Sequence, residues 1–170
     1  MTGRSDGSNP TARDDVTDLS DLIAPEAVVV DLAAGNKKAL FQQLAAAAAG
    51  PLGVEPKLLL DRLLAREKLG STGFGGGIAI PHARIEELGQ VRALFARLSS
   101  AVDFQAVDGL PVDLVMLLVS PVDAGGEHLK ALARVSRRLR DAAFADKLRG
   151  AGSRDAIYAL LTGVEARDAA

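Results

Sequence analysis

Gly70-Ser71-Thr72-Gly73-Phe74-Gly75-Gly76-Gly77-Ile78-Ala79-Ile80-Pro81-His82 joins the end of a helical segment to the start of a strand. Five glycines fall within its first eight residues, and a histidine closes it. Backbone without side chains lets several N–H groups converge on an anion, so the stretch reads as phosphate chemistry at the imidazole of His82. The ordinary explanation is a set of tight turns that need positive φ. The named nucleotide loops do not fit. A Walker loop needs Lys and Ser/Thr after its last glycine, whereas Gly75 is followed by Gly76 and Gly77. A dinucleotide fingerprint leads from a strand into a helix, and this loop runs the other way. A nucleotide-binding module is therefore only a remote alternative.

His82 follows Pro81, which has no N–H and belongs at a strand edge or end. Its ring is expected at the rim of a sheet, where a neutral imidazole is nucleophilic near pH 7. The one other histidine is His128, at the start of a predicted helix after Asp123-Ala124-Gly125-Gly126. A helix N-terminus disfavours positive charge, so a neutral ring donating one N–H to an anion is expected there; the ordinary explanation is a solvated first-turn residue. Arg66 ends the helix that feeds the loop and can reach a phosphoryl oxygen as a forked donor, or simply compensate the helix C-terminus. Ser71 and Thr72 offer hydroxyls, and Gly73, Gly75 and Gly77 offer N–H groups. Arg84 shares the strand face of His82 by alternation and completes the phosphate-binding candidates.

Outward from the loop, Val28-Val29-Val30 predicts a strand, and Asn36 caps a helix over 37–49 that Gly50 and Pro51 stop. Pro56 opens a second helix, over 57–68, with Leu58, Leu59, Leu63 and Leu64 facing inward. Val91–Leu98 reads as a strand, Ala101–Phe104 as a short separate one, and the apolar run Val112–Val119 as a buried one. Helices follow from Glu127, from Asp141 to about Gly150, and from Ser153 to Leu161. Interleaved strands and helices give one α/β domain over 18–163 with a mixed parallel and antiparallel sheet. Polar tails are expected at 1–17 and 164–170.

Composition narrows the function. At 170 residues and 48% hydrophobic content the chain can fill one core. Aromatics make up only 4%, so Leu, Val, Ile and Ala must build that core. Twenty basic against 22 acidic residues leave a net charge of −2, which argues against a nucleic-acid partner. The Arg134–Arg140 segment is read as a solvated face. No apolar run approaches the ~18 residues of a membrane span, so no direct membrane insertion is expected. The polar start lacks a signal peptide's apolar stretch, and a cytoplasmic protein is expected. The absence of cysteine excludes disulfides, zinc–thiolate sites and cysteine nucleophiles. No carboxylate cluster surrounds the loop to hold Mg²⁺, so a site without metal or cofactor is expected.

Arg66-Glu67-Lys68-x-Gly70-Ser71-Thr72-Gly73-x-Gly75-x-Gly77-Ile78-Ala79-Ile80-Pro81-His82 resembles the phosphorylation-site signature of enzyme IIA proteins. These serve the bacterial phosphoenolpyruvate-dependent phosphotransferase system, in its fructose/mannitol class, and the wording is closest to the nitrogen-regulatory branch, IIA-Ntr. The resemblance runs from about Leu19 to Leu161. It includes Phe104-x-Ala106-x-Asp108-x-x-Pro111-Val112-Asp113-Leu114 and Glu127-His128-Leu129. It implies a five-stranded mixed sheet with helices on both faces. It also implies that His82 accepts a phosphoryl group from phosphohistidine on the carrier HPr, or on its nitrogen-branch counterpart NPr. His128 matches an auxiliary histidine that is not itself phosphorylated, Arg66 an active-site arginine, and Ser71 and Thr72 the loop hydroxyls.

Two roles follow from the resemblance. The first is a regulator whose phosphorylation state changes its binding to targets such as sensor kinases or potassium-transport proteins. The second is a sugar-transport IIA that passes phosphate to an enzyme IIB. No IIB or membrane IIC segment is fused to the chain, so action in trans is expected, which favours regulation. Either way the chain is a component of a relay and not a free-standing metabolic enzyme.

Overall fold

A computed structural model describes residues 18–163; the expected tails at 1–17 and 164–170 lie outside the described residues. Six strands form one sheet: β1 (Val28–Leu32), β2 (Gly73–Gly75), β3 (Ile78–Ala79), β4 (His82–Ile85), β5 (Arg92–Val102) and β6 (Val112–Pro121). Five helices accompany them: α1 (Lys37–Ala48), α2 (Pro56–Glu67), α3 (Gly126–Leu139), α4 (Ala142–Gly150) and α5 (Arg154–Thr162). The strand order is β1-β5-β6-β3-β2, with β4 also on β6. The β5–β6 and β2–β3 pairs are antiparallel, while β1–β5, β3–β6 and β4–β6 are parallel.

The expected count of five strands becomes six segments because of one proline. β3 and β4 both pair along the same edge of β6, Ile78 opposite Leu114 and His82 opposite Leu118. Between them Pro81 cannot donate to the ladder, and the line breaks there. His82 thus opens a new segment at the sheet rim. A second difference concerns Ala101–Phe104. Ala101 and Val102 are the end of β5, after a register shift between Arg97 and Val102, and Phe104 lies beyond the strand.

β6 is the centre of the core. Val112 and every residue from Leu114 to Pro121 are buried, as expected of a strand covered on both faces. Leu94, Phe95 and Ala96 on β5 are consecutively buried for the same reason. Phe41 from α1 meets Phe104 edge-on, with ring centroids 5.6 Å apart; truncating either would cost on the order of 3–5 kcal/mol. The helix ends are satisfied locally. Asn36, Glu55, Asp141 and Ser153 accept N–H bonds from the first turns of α1, α2, α4 and α5. Of the four leucines expected inward on α2, Leu59 and Leu63 are buried, while Leu58 and Leu64 flank them half-buried.

The Arg134–Arg140 segment is more than a solvated face. Arg134 makes a forked pair with Asp21 at 2.8 and 2.9 Å and donates to the Asp18 carbonyl, tying α3 to the entering chain. The Arg138 guanidinium lies 3.5 Å from the Phe144 ring centroid.

Candidate functional site

His82 and His128 share one shallow cavity, lined also by Arg62, Ala65, Arg66, Leu69, Ala83 and Arg84. Three elements meet there. The last turn of α2 brings Arg66, β4 brings His82 and Arg84, and the first turn of α3 brings His128. The two imidazole centroids are 5.6 Å apart.

The protonation of His82 follows from its partners. Nδ1 lies 2.9 Å from the Ile80 carbonyl oxygen, which can only accept, so Nδ1 carries the proton. Nε2 receives the Arg66 Nε–H at 3.2 Å, so it carries the lone pair. Burial holds the pKa of this ring below its ordinary value of 6.5; the Ile80 bond opposes the shift and Arg66 adds to it. His82 is therefore a neutral imidazole with its nucleophilic nitrogen facing the cavity. His128 is also held below the ordinary value, first by burial, then by Arg84 and by His82. It is only 5% exposed, not the solvated first-turn residue that its sequence position allows.

Arg66 is fixed at two points, with Nη1 on the Gly70 carbonyl at 3.1 Å and Nε on His82. Its neighbour Glu67 ties the helix end to the loop. Glu67 accepts from the Thr72 N–H at 3.0 Å and the Thr72 hydroxyl at 2.7 Å, and pairs with Lys37 Nζ at 2.6 Å. Lys37 in turn donates to the Phe104 carbonyl at 3.0 Å. Ser71 donates to the same carbonyl at 2.9 Å and accepts from the Gly73 N–H at 3.1 Å. Arg84 lines the cavity and donates to the Val122 carbonyl at 3.2 Å.

The glycine stretch forms a hairpin. Gly73, Gly75 and Gly77 do not line the cavity that holds the histidines. β2 and β3 pair across the turn, the Gly73 N–H is taken by Ser71, and the Gly76 N–H by Asp108 at 2.9 Å. Arg149 clamps the turn by donating to the Gly76 carbonyl at 2.7 Å while paired with Asp113. Two positions require glycine. A Cβ at Gly73 would sit 3.0 Å from Ala106 Cβ and 3.1 Å from the Phe104 ring. Gly77 has φ +80°, and a Cβ there would meet Arg149 Nη2 at 2.6 Å. Thr72 and Ser71 spend their hydroxyls inside this scaffold. The sequence thus brings Arg66, His82, Arg84 and His128 to one cavity, while the loop residues support it from behind.

Three residues outside the candidate set bear on the site. Glu67 and Lys37 carry no signal of their own in the sequence and tie the loop scaffold together. Ser120 is fully buried with its Oγ 2.6 Å from His128 Nδ1. The signal for Ser120 was a lone hydroxyl closing the apolar run of β6. Among the described residues no group of three or more His, Cys, Asp or Glu gathers to hold a metal. The cavity instead presents two neutral imidazoles and the guanidiniums of Arg62, Arg66 and Arg84, a set suited to an anion.

Comparison with known proteins decides the family. The model of the phosphoenolpyruvate-dependent sugar phosphotransferase system, EIIA 2, matches residues 21–164. The chain belongs to that EIIA 2 family. A nitrogen regulatory protein of Bradyrhizobium diazoefficiens is 48% identical over 143 residues, covering 84% of this chain and 94% of that one. A fructose-specific EIIA component of Haloferax volcanii is 32% identical over 151 residues, covering 88% and 98%. The crystal structure of the nitrogen regulatory protein IIA-Ntr from Neisseria meningitidis superimposes with a TM-score of 0.80 at 33% identity, covering 85% and 99%. The mixed sheet with helices on both faces is thus the EIIA 2 fold. No described helix of this EIIA protein is long and apolar enough to cross a membrane.

Proposed function

We propose that this EIIA protein is a phosphoryl carrier that accepts phosphate on Nε2 of His82 from an HPr- or NPr-type carrier and acts as a nitrogen-branch regulator. One observation carries the reading: Nδ1 of His82 is committed to the Ile80 carbonyl, leaving Nε2 directed at Arg66 and the cavity shared with His128. In the transfer, the P–N bond on the carrier's histidine breaks as a P–N bond to His82 Nε2 forms. The departing nitrogen recovers its lone pair. The phosphorylated ring keeps its Nδ1–H, and the Ile80 carbonyl stabilises the positive charge it then carries. Arg66 releases the Nε2 lone pair and turns its N–H groups to the phosphoryl oxygens, where charge develops. His128 donates from the other side, and Arg84 contributes charge.

The regulatory role is supported by the nitrogen-regulatory name of the Bradyrhizobium relative. A second reading, relay to an enzyme IIB for sugar uptake, is favoured by the name of the Haloferax relative. A pull-down with wild type, His82→Ala and His82→Asp separates the two. Partners that follow the phosphorylation state support regulation. Onward movement of label from His82 to a IIB protein and then to sugar would overturn it in favour of transport.

A further inference from the structure

Ser120 sits near the end of β6, opposite Arg84 in the parallel pairing of β4 with β6. Its side chain is fully buried, and its Oγ lies 2.6 Å from Nδ1 of His128. Within the described chain this is the one hydrogen bond of that hydroxyl. A buried hydroxyl needs an acceptor for its proton. If Nδ1 carried a proton, the Ser120 O–H would have none. The bond therefore runs from the Ser120 O–H to a bare Nδ1, and the proton of neutral His128 sits on Nε2. Nε2 makes no hydrogen bond within the described chain, yet it is not among the side-chain atoms sealed from solvent without a partner. Since His128 lines the cavity beside His82, Nε2–H opens into that cavity.

We propose that Ser120 is a positioning residue that fixes the tautomer and ring orientation of His128, so that an Nε2–H donor faces the phosphoryl group on His82. The inference rests on the phosphocarrier reading above for its consequence, though not for the tautomer itself. The reverse tautomer would aim a lone pair at phosphoryl oxygens and replace attraction by repulsion. A glycine pair, Gly125-Gly126, precedes His128; backbone bonds close that turn, and the Ser120 bond adds an anchor on the imidazole ring itself. The hydroxyl acts from the sheet side and touches neither the phosphoryl group nor the carrier.

Nitrogen-detected NMR of the histidine rings in the unphosphorylated protein reads the tautomer directly. Wild type is expected to show His128 protonated at Nε2 and bare at Nδ1, and Ser120→Ala to show a mixture. Single-turnover phosphorylation by the phosphorylated carrier should slow about tenfold in Ser120→Ala, the usual scale for a hydrogen bond to a charged group. Ser120→Thr, which keeps the hydroxyl, should recover most of that loss. In a His128→Ala background, Ser120→Ala should cost nothing more. A wild-type His128 protonated at Nδ1 would overturn the proposal. So would an unchanged rate in Ser120→Ala, or an equal loss in both backgrounds. If wild type takes no phosphate at all, the carrier reading fails, and the ring spectra still decide the tautomer.

Discussion

Arg66 donates its Nε–H to Nε2 of His82 across 3.2 Å, from the last turn of α2 to the first residue of β4. The bond holds the Nε2 lone pair in place and sets a permanent positive charge beside it; in the proposed phosphocarrier role that charge meets the incoming phosphoryl group. Arg66→Ala should lower the single-turnover rate of His82 phosphorylation by roughly 100- to 1,000-fold, the scale of removing one preorganised donor. Arg66→Lys keeps the charge and loses the planar fork, and should cost roughly tenfold. An Arg66→Ala rate within a factor of about two of wild type would show that the guanidinium has no part in the transfer.

The titration of the two histidines has a definite sign. Both are held below 6.5 in the folded protein, His82 and His128 alike chiefly by burial. Around His82, Arg66 and Arg84 add to the lowering and Glu67 opposes it. Between the lowered folded value and 6.5 the unfolded chain binds more protons than the folded one, so stability rises with pH in that window. The contribution is fully present above pH 6.5 and is lost as pH falls through the folded pKa. Urea unfolding at about pH 7.5 and about pH 5.5 should show a loss on acidification, smaller in a His128→Gln variant. A proton NMR titration should place both ring midpoints below 6.5; midpoints above it would contradict the burial argument.

Glu67 joins Lys37 and Thr72, and its side chain is 8% exposed. Glu67→Ala leaves the Lys37 charge half-buried and the Thr72 N–H and hydroxyl without their acceptor. A loss of roughly 2 kcal/mol in urea unfolding is expected, together with slower phosphorylation, because the helix end that aims Arg66 is loosened. An unchanged stability would mean that solvent replaces all three bonds.

Much of this architecture was legible in the sequence because the deciding signals are local. Asn36, Pro56, Asp141 and Ser153 mark helix starts by cap chemistry, and the run Val112–Val119 announces a strand buried on both faces. What escaped was set by distant chain. The β2–β3 hairpin consists of short segments rich in glycine, with little propensity of their own. It is held by Asp108, Asp113 and Arg149, residues far along the sequence whose approach no local pattern reveals. That clamp makes the glycine stretch a packed turn, a form the glycines by themselves do not announce. Of the candidate residues, Arg66, His82, Arg84 and His128 gather at one cavity, because α2 packs beside β4 and β6 leads directly into α3. The role of Ser120 depends on β6 packing under α3, which spacing alone does not convey.

Gly77 is where that hairpin is least forgiving. Gly77→Ala must adopt φ near +80° and displace Arg149, and should destabilise by about 1–3 kcal/mol. Gly76 also has positive φ, but a Cβ there meets nothing within 4 Å, so Gly76→Ala should cost about 1 kcal/mol. Equal losses at the two positions would show that backbone strain alone decides, without the Arg149 clamp.

The central claim is that Nε2 of His82 takes the phosphoryl group. Its most direct test is phosphorus–nitrogen correlated NMR of the protein after incubation with a phosphorylated HPr- or NPr-type carrier, with His82→Ala alongside. One phosphoryl group bonded to Nε2 of His82, and none on the variant, is the expected result. Phosphate on Nδ1, on His128, or on His82→Ala at the wild-type level would contradict it.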